Sequence, residues 1–258
     1  WQNDPYKLKS LGDQAFCMGV NKFVFHRYAL QPWLDRFPGM TMGRWGSHFE
    51  RTNTWWEQGA AWFKYVARCQ WLLRQGQFVG DVAVLAGEGV PCYLGYREEL
   101  NPPLPEGYDY DGVDAPTILT RMTVKNGRLA LPNGMAYRAL LLPDRDEMTP
   151  ELARKVRELV RAGAVVVGPR PTHSPSMAGY PECDEVVKSV AREVWGEDSG
   201  TTVVARSFGQ GRVYWGNTWD AIFADLKTPP DFAYRTRPGA AVLKYIHRRA
   251  GDVELYFV

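Results

Sequence analysis

Between Ala139 and Gly168 the chain reads ALLLPDRDEMTPELARKVRELVRAGAVVVG, two short apolar runs joined by a segment with a full set of helix signals. Thr149 can cap the helix, Pro150 suits its first position, and Gly163 stops it. Leu152, Val156, Leu159 and Val160 recur at helical spacing, so one face is apolar. Strand, helix, strand in about 30 residues is a crossover unit, expected to be right-handed and to join parallel strands. Such a unit needs a sheet covered on both faces, which confines this part of the chain to an α/β domain.

The rest of that domain reads outward from the crossover. VAVLAG after Asp81 is a strand, and residues 89–112, rich in Pro, Gly and Tyr, hold no periodic pattern and read as a loop. A short helix is expected over 114–122, a strand over 128–131, and helices near 184–195 and 218–226. The patterns at 202–208 and 212–216 read as a strand pair turning at Gly209 and Gly211. FGQGR is followed by a strand and no helix, which excludes a phosphate loop. GxSxG is absent and no Cys follows a buried strand, so a nucleophile elbow is excluded as well.

Ahead of this domain lies a helix over 4–18 stopped by Gly19, then an apolar run from Val20 to His26 that reads as a buried strand. The loop over 27–52 far exceeds the usual ~4–6 residue connection, and a loop of that length in a compact domain tends to carry function. Asn53 or Thr54 can cap a following helix that ends at Gly76. Helix, strand, long loop, helix is the last βα repeat of an α/β barrel or part of an open α/β sheet. A lone repeat cannot close a barrel, so an apolar flank is expected to be left open. After Pro229 and Pro230, the segments 240–247 and 253–258 read as strands of a further, β-rich unit, with domain boundaries at 1–78, 79–238 and 239–258.

The long loop concentrates chemistry. His26 stands at the end of its strand, where barrels carry their active sites, and it reads equally as a core histidine or a ligand-facing one. Trp33 can stack on the C–H face of a sugar, while Gln31, His48 and Arg51 can bond its hydroxyls or brace the loop. Glycoside hydrolysis needs two carboxyl groups. Only Asp35 and Glu50 lie in this loop, each followed by an Arg that favours the ionised form, so Glu50 is a candidate base, set against the reading of a solvated or loop-bracing ion pair.

Two other histidines are set apart: His173 reads as a surface-loop residue, and His247, beside two arginines, as a strand residue with interdomain ion pairs. Cys17, Cys69, Cys92 and Cys183 form no CxxC pair and no metal-ligand spacing, and read as buried thiols. With 31 Lys and Arg against 29 Asp and Glu, the chain lacks the basic field of a nucleic-acid binder. No apolar run approaches the ~20 residues of a membrane span.

Three stretches, GVNKFVFHRYALQPW, PGMTMGRWGSHFERTNTWW and ARCQWLLRQGQFVGDVAVLAGE, resemble the end of the catalytic barrel in glycoside hydrolase family 106, the α-L-rhamnosidases. GMAYRALLLPDRDEMTPELARKVRELVRAGAVVVGPRP, GQGRVYWG, PDFAYR and IHRRAGDVELYFV resemble the domains that follow it. The resemblance implies the terminal βα unit of a TIM-type barrel over 1–78. It further implies a flavodoxin-like or amidotransferase-like α/β domain without a catalytic nucleophile over 79–238, as in family 42 β-galactosidases, and the first strands of a β-sandwich over 239–258. It implies inverting, calcium-assisted hydrolysis of α-L-rhamnosides of plant polysaccharide by a secreted or periplasmic bacterial enzyme, with the catalytic acid and the calcium ligands upstream.

On this reading the chain alone turns over no aryl α-L-rhamnoside, and its partners are a carbohydrate and the remainder of its own polypeptide. By the same resemblance His26, Gln31, His48 and Arg51 help form the substrate pocket. Two alternatives stay open: a noncatalytic carbohydrate-binding or scaffold module, and a β-galactosidase-like enzyme of the same clan.

Overall fold

The computed structural model describes residues 2–89, 91–197, 203–235, 237 and 242–258. The chain divides into two compact units, one made of 1–78 with 238–258 and the other of 79–237.

The first unit opens with α1 (Pro5–Cys17), whose cap is Asp4, a side chain accepting from the Lys7 amide at 3.0 Å. Helix α2 (Ala60–Leu72) begins later than the Asn53 or Thr54 cap predicts. Asn53 instead donates its side-chain amide to the His48 carbonyl at 2.8 Å, so 50–59 winds as turns before the helix starts. Strand β1 (Gln77–Phe78) closes this first pass through the unit.

The second unit follows as β2 (Val82–Leu85), β3 (Tyr110–Val113), α3 (Ala115–Thr120), β4 (Thr123–Lys125), β5 (Arg128–Ala130), β6 (Ala136–Tyr137), β7 (Ala139–Leu141), α4 (Pro150–Arg161), β8 (Val165–Val167), α5 (Glu182–Trp195), β9 (Val204–Phe208), β10 (Gly211–Trp215) and α6 (Trp219–Asp225). The chain then re-enters the first unit with β11 (Ile246–Ala250) and β12 (Val253–Phe257).

In the second unit a six-stranded sheet has the order β3-β2-β7-β8-β10-β9, with all neighbours parallel except the β9–β10 hairpin. Numbered by chain order, its parallel strands run 2-1-3-4-5, so the winding reverses between β2 and β7. Alternation decides which face each residue covers. Ala83, Leu85, Leu140, Val166 and Val213 meet the buried faces of α4 and α5, while Val82, Val84, Ala139, Leu141, Val167 and Tyr214 meet α6 and the 100–108 segment.

Helix α4 contributes Leu152, Ala153, Val156, Leu159 and Val160 to that core, each large member worth about 1.5–3 kcal/mol of burial. Strand β3 falls within a stretch that lacks sequence periodicity. Only four residues long, it owes its extended form to pairing with β2. Strands β4, β5 and β6 form a separate antiparallel meander.

In the first unit β1, β11 and β12 make a three-stranded antiparallel sheet. Its Ile246 and Phe257 join Phe16, Val66, Cys69 and Leu73 in one apolar cluster with the two helices. The described residues after 238 thus pack within the first unit; of the strand expected over 240–247, residues 240 and 241 lie outside the described set.

The run Val20–His26 differs from the sequence expectation of a buried strand. It is extended without ladder bonds, and Val24 is 88% exposed, because no strand of the described residues lies beside it. Among the cysteines, Cys69 and Cys183 are buried as expected, whereas Cys17 is only partly covered and Cys92, in a loop, is exposed. His247 is buried, lies 2.7 Å from the Glu254 carboxylate and stacks on Tyr256, both in its own hairpin.

Candidate functional site

The long loop of the first unit is closed by a backbone clip. The amide of Arg27 donates to Ser47 O at 2.9 Å, that of Ser47 to His26 O at 3.2 Å, and that of Phe49 to Arg27 O at 3.1 Å. Residues between 28 and 46 therefore form a closed excursion whose ends touch, the arrangement of a functional surface loop. Gly46, at φ +72°, lies against His26; a Cβ there would stand 3.2 Å from both His26 Nδ1 and His26 O.

Inside the excursion, side chains satisfy the loop's own backbone. Gln31 is buried and donates to Met40 O while accepting from Met40 N, both at 2.8 Å. The Arg51 guanidinium donates to the carbonyls of Gln31 and Trp33. Glu50 is 2% exposed; its carboxylate accepts from the Thr52 amide at 2.9 Å and meets the Thr52 hydroxyl. His48 is buried close by, and burial holds its imidazole below the ordinary histidine pKa, with Arg27 adding to the effect and Glu50 opposing it.

Of the residues singled out in the sequence, Gln31, His48 and Glu50 are buried in the body of the loop and the exposed Arg51 bonds the Gln31 carbonyl there, whereas His26 and Trp33 stand exposed. Asp35, the other carboxylate of the loop, is exposed and pairs loosely with Arg36 at 3.8 Å. Tyr28, Leu30, Phe37 and Trp45 add further exposed apolar surface.

Beneath the clip lies an apolar cavity of about 390 Å3, lined by Leu8 and Leu11 of α1, Phe23 and Phe25 of the extended run, and Trp62 of α2. His26 and Ser47 reach its edge. The Trp62 indole N–H is buried there without an acceptor among the described residues. A polar cluster missed in the sequence sits at one side: Tyr65 donates to Asp13 at 2.6 Å, and Lys9 pairs with the same carboxylate while lying 4.5 Å above the Tyr65 ring. Only the i, i+4 spacing of Lys9 and Asp13 was visible in the sequence.

In the second unit the crevice at the carboxyl ends of β2 and β7, where open sheets bind ligands, is filled. Glu88 accepts from the Thr149 amide at 2.8 Å and from its hydroxyl at 2.6 Å, and the space left is about 20 Å3, room for roughly one water. His173 lies in an exposed loop there, 3.0 Å from Thr172 Oγ1.

The opposite ends of the strands hold a buried polar hub that sequence patterns did not mark. Asp81 pairs with Arg138 at 3.2 Å and Asp109 with Arg97 at 3.3 Å, and the Asp109 amide reaches Asp81 at 3.3 Å. Burial drives the Asp109 carboxyl up to about 7, against the pull of the Tyr110 amide and Arg97. Among the described residues no group of three or more His, Cys, Asp or Glu is arranged to hold a metal ion, and no helix is long and apolar enough to cross a membrane.

The family profile described as alpha-L-rhamnosidase, glycoside hydrolase family 106, matches residues 1–258. A curated protein of Formosa agariphila named "Putative beta-glucuronidase" is 36% identical over 258 residues, covering 100% of this chain and 20% of that protein. The solved rhamnosidase from Novosphingobium sp. PP1Y superimposes with a TM-score of 0.85 at 28% identity, over 99% of this chain and 24% of that one. The chain thus spans about a fifth to a quarter of the length of these relatives.

Proposed function

This chain belongs to glycoside hydrolase family 106, and from that membership we propose that it is a segment of an α-L-rhamnosidase whose whole polypeptide cleaves terminal rhamnose from a glycan with inversion at the anomeric carbon. The first unit supplies the last βα segment of a TIM-type barrel, and the clipped loop forms part of the pocket rim. Trp33 offers its ring to the sugar and His26 its imidazole; Gln31, His48 and Arg51 hold the loop in shape behind them. The second unit is a flavodoxin-like domain without a nucleophile, serving as a support.

One observation carries this reading: the cavity under the clip is lined by side chains suited to a core, beside the uncovered Val24. Neighbouring barrel strands and helices of the longer polypeptide would complete that layer. Glu50 is enclosed and engaged by Thr52, and Asp35 faces solvent, so the loop offers no acid and base facing one substrate. The catalytic acid then lies elsewhere in the polypeptide and the chain alone is inactive. On this reading the calcium of the whole enzyme is held by residues upstream of this segment. A secreted or periplasmic location goes with this reading.

A second reading, cleavage of a glucuronide, rests on the name of the 36%-identical relative. The test is hydrolysis of aryl α-L-rhamnoside and aryl β-D-glucuronide by the full-length protein, with proton NMR of the first-formed sugar. Release of rhamnose as the inverted anomer supports the proposal. Release of glucuronate alone favours the second reading, and turnover by the isolated 258-residue chain would overturn the claim that the acid lies outside it.

A further inference from the structure

The tip of the clipped loop is a Gly-Arg-Trp-Gly turn, Gly43 to Gly46, with both glycines at positive φ, +62° and +72°. The Trp45 amide donates to Met42 O at 3.3 Å and the Gly43 amide to Thr41 Oγ1 at 3.0 Å, so the turn is held by its own bonds. Gly46 then seats close against His26, where a Cβ would make a tight 3.2 Å contact, at a positive φ that favours glycine. The turn is therefore pinned to the end of the extended run that the rhamnosidase reading places at the active-site face.

This turn presents one cation over one ring. The Arg44 guanidinium lies 4.8 Å from the centroid of Trp45, and Trp45 is 63% exposed. Arg44 makes no ion pair among the described residues, since Asp35 pairs with Arg36 and Glu50 is enclosed with Thr52. A guanidinium held over an indole by cation–π attraction spends none of its N–H donors there, and those donors can take a carboxylate through two parallel bonds. At the base of the same clip the buried Arg27 Nε–H has no acceptor among the described residues, so the clip carries a second cation with an unused donor.

The geometry points to Arg44 and Trp45 as a specificity-determining pair that reads the carboxylate of a uronic-acid residue next to the rhamnose in the glycan. Arg44 receives the carboxylate at its edge, and Trp45 gives the uronate ring an apolar face to lie on. The inference rests on the rhamnosidase reading of the whole protein and narrows its substrate to acidic glycans.

The test uses the full-length enzyme with two substrates, an α-L-rhamnosyl glucuronate disaccharide and its methyl ester, which differ in the charge alone. The expected wild-type kcat/KM favours the acid, the preference resides in KM, and it weakens as salt rises. Arg44→Gln lowers the acid-to-ester ratio about tenfold, and Arg44→Lys, which keeps charge without the planar fork, falls between. A wild-type enzyme without preference for the acid, or a ratio unchanged in both variants, overturns the pairing while leaving the rhamnosidase reading intact. If neither disaccharide is cleaved, the rhamnosidase reading fails, and calorimetric binding of the acid to wild type and Arg44→Gln still decides the role of Arg44. Should Arg44→Gln fail to fold, the ratio in Arg44→Lys decides it.

Discussion

The Gln31 carboxamide grips Met40 from both sides, donating to its carbonyl and accepting from its amide at 2.8 Å each, and thereby closes a ten-residue arc of the long loop. Gly39 is part of the same clamp, since at φ +75° a Cβ would stand 2.0 Å from Gln31 Oε1. Gln31→Ala should cost about 1–3 kcal/mol, because it strands one backbone donor and one acceptor. Gly39→Ala should act likewise by expelling the carboxamide. Thermal unfolding of the full-length enzyme, with limited proteolysis between 28 and 46, measures both; unchanged protease sensitivity would show that the clamp does not hold the loop.

Glu50 separates bracing from chemistry. Its carboxylate is enclosed and committed to Thr52, so Glu50→Gln in the full enzyme should lower kcat by less than about tenfold. Loss of a general acid or base costs about 10²–10⁴. A fall in that range, with the loss of one limb of the pH–rate profile, would put Glu50 in the reaction.

The buried hub of the second unit predicts a pH dependence. Folded, Asp109 keeps its proton up to about pH 7; unfolded, it releases it near its ordinary 3.8. Between those values the folded state binds more protons, so this contribution to stability is full below about pH 4 and is lost as pH rises towards 7. Asp81, also raised by burial, acts in the same direction. Urea unfolding of Asp109→Asn relative to wild type should show a difference that shifts in the variant's favour from pH 4 to 7 and is flat above; a difference independent of pH would remove Asp109 as its source.

Thr149 serves two partners, capping the Leu152 amide at 3.3 Å and donating to Glu88. Thr149→Ala should therefore cost more than the usual ~1 kcal/mol of a lost cap. Combining it with Glu88→Ala should cost less than the sum of the two singles, as coupled partners do. Strict additivity in a double-mutant cycle would show that the two do not interact.

Gly76 closes on β11 so tightly that a Cβ would sit 2.0 Å from Arg249 O, and its φ of +57° is itself unfavourable for other residues. Gly76→Ala should destabilise the first unit by about 1–3 kcal/mol. Amide exchange of β11 residues, faster in the variant than in the parent, is the direct readout.

The α/β unit was legible where local rules and tertiary pairing agree. Thr149, Pro150 and Gly163 bound α4 as the sequence predicts, because capping and φ preferences act over a few residues. Strand β3 was not legible, since its extended form comes from β2 rather than from its own composition. The start of α2 was misplaced because Asn53 found a partner in His48 O, which no spacing reveals. In the loop, residue types pointed to polar recognition, but only coordinates separate Gln31 and Arg51, which spend their donors on the loop backbone, from Arg44 and Trp45 at its tip.

The pairing of β1 with β11 has an evolutionary side. Gln77 stands opposite Arg249, so the chain departs from one strand and returns on its immediate neighbour, about 5 Å away. The second unit, 79–237, thus lies in the chain between two neighbouring strands of the first, and its removal would require only a short connection to rejoin the cut ends. Ancestors lacking that unit, and descendants carrying a different one, are both geometrically permitted by that junction.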